Sequence, residues 1–206
     1  MKNKIIDLPE EIIFVTSNKG KIATAQKYFK DIKLKAYNYD LIEPRTDDIK
    51  EIAESKVRQA YKVVKKPCIA LDAGFFIEDL NGFPRAFVNF ALDTLGIEGI
   101  LKQMEGIKNR KCTFKESLAY FDGKNLLFFE GIYEGTLSKK IRGIDNKEKW
   151  SDLWYIFIPG GYDKTLAEMT KDEIYSIPKS LTKTSALDEF AIYYNETKNN
   201  LIRENN

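Results

Sequence analysis

The sequence predicts an α/β fold, and three observations carry that prediction. Residues 12–15 form an uninterrupted apolar run, followed at once by apolar residues at helical spacing over 22–29. The alternation then repeats, with a helical pattern at 48–64 and a second short apolar run at 68–71. Further on, residues 113–121 and 126–133 flank Asp122-Gly123-Lys124-Asn125, a hairpin signal. A three-layer core follows from the alternation. At 206 residues, 43% of them apolar, the chain is expected to form a single domain, 1–206, with room for two lobes.

The first strand and helix are joined by Thr16-Ser17-Asn18-Lys19-Gly20-Lys21. The first amides of a helix lack intrahelical partners and its dipole favours an anion there, so Ser17 or Asn18 as cap with Lys19 and Lys21 beside it suits a phosphate. Taken alone, the pattern also fits a plain capped turn with solvated lysines, and it lacks the spacing of a Walker loop. Residues 32–39 alternate as a short strand that gives way near Pro44. In the next helix Lys56 falls among Ile49, Ile52, Ala53, Val57, Ala60 and Val64, either snorkelling from the core or aimed into a cleft.

The apolar run at 68–71 is expected to end at Asp72-Ala73-Gly74, which places Asp72 where α/β folds hold ligands, although an aspartate standing alone there is more often a turn former. A strand from Phe75 and a tight turn at Asn81-Gly82 are predicted next, then helices near 87–94 and 97–104. Beyond the hairpin, in which Gly131 and Gly135 suggest bends or bulges, come a polar loop at 139–150 and a strand at 154–159. After these come a Gly160-Gly161 turn, a helix at 185–194, and a polar tail at 195–206 expected to fray.

Composition narrows the chemistry. The chain has no histidine, which removes imidazole as base, nucleophile or metal ligand. With 33 basic and 31 acidic residues the net charge is +2, so nothing global argues for nucleic acid. Cys68 and Cys112 sit in apolar surroundings and read as buried free thiols, which points to the cytoplasm. No run reaches membrane-spanning length, and acids at Asp7, Glu10 and Glu11 do not suit a signal peptide.

Together these segments resemble the Ham1 family of inosine/xanthosine triphosphate pyrophosphatases. The residues from Thr16 to Lys21 are similar to its T-G-N-x-x-K signature. Glu43-Pro44 before the helix bearing Lys56, and Leu71-Asp72-Ala73-Gly74 through Asn81-Gly82-Phe83-Pro84, resemble the segment running through its D-[DS/ST]-G motif to the N-G-x-P-G turn. The stretch from Ile156 to Met169 resembles its late I-F-x-P-x-G-Y-x-x-T-x-A-E-M signature. The resemblance implies an elongated, two-lobed α/β fold with a central mixed sheet flanked by helices and an active cleft between the lobes, usually as a homodimer. It also implies magnesium-dependent hydrolysis of a nucleoside triphosphate to the monophosphate and pyrophosphate. On that footing Glu43 and Asp72 hold the metal, Asp72 and Lys21 serve catalysis, and Thr16, Ser17, Asn18, Lys21 and Lys56 cradle phosphates, with Asp152, Trp154 and Lys183 toward the base.

The departures from the pattern lie at defined places. Leu71 and Ala73 replace an acid and a hydroxyl residue, and Arg85 stands where glycine is common. The G-[WY]-D-P segment becomes Trp150-Ser151-Asp152-Leu153-Trp154-Tyr155, and Thr182-Lys183 stand for His-Arg. Lysine lacks the planar fork of guanidinium, so base recognition is expected to have shifted or loosened. A nucleotide-binding relative with little catalysis is the alternative.

Overall fold

The computed structural model describes residues 9–30, 32–39, 41–143, 149–177, 182–183 and 185–204. Strand β1 (Glu11–Val15) lies between β2 (Lys33–Tyr37) and β3 (Cys68–Ile77), parallel to both. Its four apolar residues are all buried, as a run covered on two faces must be. The connections are α1 (Lys19–Tyr28) and α2 (Ile49–Val64), the latter capped by Asp48, whose carboxylate accepts from the amides of Lys50 and Glu51. β3 continues antiparallel against β5 (Lys111–Phe121), which forms the expected hairpin with β6 (Leu126–Leu137). With β7 (Phe157–Pro159) the order is β2-β1-β3-β5-β6-β7; β4 (Pro84–Arg85) joins β3 and β8 (Thr182–Lys183) joins β6.

Three apolar clusters fill the layers. On one face of the sheet Ile12, Phe14, Ile69, Leu71, Leu118 and Tyr120 meet α5 (Ala186–Glu204) through Leu187, Phe190, Ala191 and Tyr194. On the other face Ile13, Val15, Cys68 and Ala70 meet Ala53, Val57 and Ala60 of α2. The third cluster gathers Phe75, Ile77, Cys112, Leu137 and Phe157 around Ile100 of α3 (Val88–Gln103) and Met104 at its C-cap, with Ile174 of the short α4 (Lys171–Tyr175) packed against them. α3 is the expected pair of helices, joined at Gly96, whose φ of 66° breaks the run.

The structure corrects several expectations. The run at 68–71 does not end at Asp72: β3 is continuous for 10 residues because β5 supplies a partner to every one of them, and Asp72 is a strand residue opposite Ser117, not a turn former. From Glu78 the chain turns through one 3₁₀ turn into Asn81-Gly82, whose positive φ values of 53° and 83° bring Pro84 back against Phe76. Trp154 and Tyr155 belong to a 3₁₀ turn (Asp152–Tyr155) before β7, fixed by the Ser151 hydroxyl accepting from the Leu153 amide at 3.3 Å. No bulge occurs at Gly131 or Gly135, where the β5–β6 register is unbroken. Close approach explains both glycines: a Cβ at Gly131 would stand 2.7 Å from Glu116 Oε2, and one at Gly135 would strike the Ile158 carbonyl. Within the polar tail, α5 runs as far as Glu204, and residues 205–206 lie outside the described residues. Both cysteines are buried free thiols.

Candidate functional site

The site begins where β1 hands over to α1. Asn18 is the helix cap: its Oδ1 accepts from the Lys21 amide at 3.0 Å, and its own amide donates to Thr16 Oγ1 at 3.1 Å. Its Nδ2 donates to the Trp150 carbonyl at 2.9 Å, while the Trp150 indole donates to Thr24 Oγ1 at 3.0 Å. A segment 132 residues away is thereby fastened over the start of α1.

Lys21 runs back from α1 and donates to the Leu71 carbonyl at 3.0 Å. Burial lowers its pKa, an effect opposed by Asp72 and, more weakly, by Glu116 and Glu43. Lys56 projects from the buried face of α2, and its ammonium stands 2.8 Å from Asp72 Oδ1 and 2.6 Å from Glu43 Oε1. Burial alone would lower the Lys56 pKa, but Asp72 and Glu43 outweigh it and the net shift is upward. Of the two positions the sequence allowed Lys56, the structure selects the cleft.

These groups line one cavity of about 790 Å³. Its polar lining includes Thr16, Ser17, Asn18, Lys21, Glu43, Lys56 and Asp72; Phe114, Tyr133, Trp154, Leu166, Ile174 and Tyr175 supply aromatic and apolar surface, and Trp150 is fastened to α1. Two of the candidate residues stand apart. Asp152 is not among the lining residues, and its carboxylate is exposed and paired with Lys149 at 3.2 Å. Lys183 is described only as backbone in β8, opposite Ile132, and its side chain lies outside the described residues. The late sequence signature is architectural: Glu168 accepts from the Thr165 amide at 2.8 Å and pairs with Arg142 at 2.9 Å, closing a tight turn.

Sequence reasoning missed Glu116. It lines the same cavity and is 6% exposed; its Oε2 accepts from the Ser185 hydroxyl at 3.2 Å and from the Ala186 amide, the first of α5, at 3.0 Å. Burial raises its carboxyl to about 7, although those two donors and Lys21 act the other way. The signal was available, because Glu116 alternates with Cys112, Phe114, Leu118 and Tyr120 on the inward face of β5.

Among the described residues no cluster of three or more acids, cysteines or histidines could hold a metal by itself. Of the lining carboxylates, Glu43 and Asp72 meet at Lys56, and two hard oxygen donors suit magnesium, which keeps waters and completes its shell with substrate phosphates.

Comparison with known proteins bears on this arrangement. The sequence model of the Ham1 family matches residues 12–190. A dITP/XTP pyrophosphatase of Thermococcus kodakarensis is 37% identical over 187 residues, which cover 90% of this chain and 97% of that protein. One from Saccharolobus solfataricus is 37% identical over 161 residues, 77% of this chain and 82% of the relative. Among solved structures, a HAM1 protein from Coxiella burnetii superposes with a TM-score of 0.77 at 24% identity, covering 90% of this chain and 98% of that one. The Staphylococcus aureus Ham1 protein gives 0.74 at 22%, with the same coverage. At those identities the two structures speak to the fold alone.

Proposed function

The chain belongs to the Ham1 family, and from that premise we propose that it is a nucleoside triphosphate pyrophosphatase acting between the α and β phosphates. The observation that carries this reading is the presence of Lys21, Lys56, Asp72 and the capped start of α1 in the lining of one cavity large enough for a nucleotide. Relatives named dITP/XTP pyrophosphatases support the same class of substrate.

In this reading the triphosphate lies along residues 16–21, taking hydroxyl and amide donors from Thr16, Ser17 and Asn18 and charge from Lys21 and Lys56. A water oxygen bonds to the α phosphorus, the bond from that phosphorus to the bridging oxygen breaks, and pyrophosphate leaves with the bridging oxygen and its electron pair. Asp72 orients the water or shares a bound magnesium with Glu43. Magnesium, when bound, neutralises phosphate charge and lowers the pKa of a coordinated water. Lys56 holds the two carboxylates together. The family premise also supports a single catalytic unit, a homodimer and a cytoplasmic location; among the described residues no helix is long and apolar enough to cross a membrane.

The base-side departures support a specificity different from that named for the relatives, since Asp152 faces solvent and Lys183 replaces arginine. The direct test is a panel of nucleoside triphosphates with magnesium, assayed for pyrophosphate against orthophosphate. Pyrophosphate release is the expected result. Binding without release across the panel would favour an inactive nucleotide-binding relative, and no binding at all would end the proposal.

A further inference from the structure

Asp72 and Glu43 share the Lys56 ammonium, but the donors that hold Glu116, the Ser185 hydroxyl and the Ala186 amide, are uncharged, so a phosphate beside Glu116 would be repelled. Glu116 nonetheless lines the same cavity, one residue along the β3–β5 register from the Asp72–Ser117 pair, opposite Ala73. Its place is fixed from two sides. The Ser185 hydroxyl and Ala186 amide donate to Oε2 at 3.2 and 3.0 Å, and Gly131 of β6 leaves room for that oxygen because a Cβ there would stand 2.7 Å away. Tyr133 from β6, Tyr28 from α1 and Lys21 complete its surroundings within the cavity lining.

A carboxylate has about four acceptor sites, and two donors on Oε2 leave acceptor capacity for the cavity. Asp152, the acid expected to read the base, is not among the cavity-lining residues and is paired with Lys149, whereas Glu116 is a buried acid that does line the cavity. Resting on the pyrophosphatase reading above, we propose that Glu116 is the base-reading acid of this protein. It selects triphosphates whose base presents two adjacent N–H donors, as the 2-amino-6-oxopurine edge of guanine and its modified forms does. With Oε2 taken by Ser185 and Ala186, Oε1 keeps its two acceptor sites, and two adjacent N–H groups can converge on it as charge-assisted hydrogen bonds. Hypoxanthine offers only the ring N–H on that edge, and adenine offers a donor beside an acceptor. Burial holds the Glu116 carboxyl above its ordinary range against Ser185, Ala186 and Lys21, and N–H donors from a base would act in the same direction as those partners.

The test is the affinity of the full chain, with magnesium, for non-hydrolysable α,β-methylene triphosphates of guanosine and inosine, repeated for Glu116→Gln. The glutamine side-chain oxygen can still accept from Ala186 while its amide presents donors to the cavity. The expected result is roughly tenfold or tighter binding of the guanosine analogue by the wild-type protein, with that ratio falling to about two or below in the variant. Equal affinity of the wild type for both analogues overturns the assignment of the base and leaves the pyrophosphatase reading standing. An unchanged ratio in Glu116→Gln, with both affinities reduced together, overturns it in favour of a structural cap on α5. Binding of neither analogue by the wild type overturns both readings at once.

Discussion

The ammonium of Lys56 lies 2.8 Å from Oδ1 of Asp72, joining the buried face of α2 to the middle of β3. With Glu43 at 2.6 Å from the same ammonium, one cation holds two carboxylates that would otherwise repel, one nearly buried and the other mostly exposed. Asp72 is therefore oriented before any ligand arrives.

Replacing Asp72 by asparagine keeps the shape of the strand and removes the charge. Pyrophosphate release is expected to fall on the order of 10²-fold or more, about 2.7 kcal/mol of barrier, with the circular dichroism spectrum unchanged. Near-normal turnover would remove Asp72 from the chemistry.

Replacing Lys56 by methionine leaves Asp72 buried without its cation. The expected cost is roughly 2–3 kcal/mol, because only one of the two stranded carboxylates is buried. Triphosphate affinity at saturating magnesium should drop at least about tenfold. Denaturant titration and calorimetry measure the two effects separately, and loss of stability without loss of affinity would assign Lys56 to architecture.

Glu116 gives a pH signature whose sign is fixed. Its folded carboxyl sits at about 7, above the ordinary 4.5. Between those values the unfolded chain has released a proton that the folded protein keeps. Its contribution to stability is therefore full below pH 4.5 and declines as pH rises to about 7, by roughly 3 kcal/mol. Acids held low by their partners, such as Glu168, act in the opposite direction. The measurement is thus the difference between wild type and Glu116→Gln in urea unfolding at the two ends of the window, without metal or nucleotide. A difference that does not change with pH would contradict the buried placement.

Gly131→Ala introduces a methyl group 2.7 Å from Glu116 Oε2 and 2.9 Å from the Ala186 amide nitrogen. Neither is the free end of a flexible chain, since Glu116 is held from α5. A loss of about 1–3 kcal/mol is expected, read as a lowered Tm. An unchanged Tm would mean that β6 and α5 can separate freely.

Cys68 and Cys112 should resist a thiol reagent in the native state. Burial raises both, Cys68 to about 12, so the reactive thiolate is scarce. Labelling is expected only as fast as the protein opens, and rapid labelling at neutral pH would refute this.

Local signals carried the first half of the fold well. The helix cap at Asn18, the buried stripe of α2 and the hairpin at residues 122–125 are short-range features, and each formed where its residues prescribe. What escaped depends on partners distant in sequence. Nothing near Asp72 reveals that β5 will carry β3 past Ala73-Gly74, and nothing near Trp154 reveals that Ser151 will wind that segment into a 3₁₀ turn. The phosphate-side candidates came together because they follow strand ends and one helix face. Asp152 did not join them, because the facing of a residue in a one-turn helix has no periodicity to read. Glu116 was legible in principle from the alternation of β5, but a single acid on an apolar strand face signals a site only once the donors of α5 are seen beside it.

The unbroken β3 also governs how the molecule can move. With β5 and β6, strands of 11 and 12 residues, it makes a three-ply ribbon passing from the first two apolar clusters into the third, hydrogen-bonded throughout. Such a ribbon twists readily but has no joint. Any narrowing of the cavity around a nucleotide must then come as torsion of that ribbon, with displacement gathered in the irregular crossings at residues 41–48 and 138–143. Amide hydrogen exchange should record this as uniformly slow exchange from Ala70 to Phe75 whether or not ligand is bound, with the ligand-sensitive amides confined to those crossings.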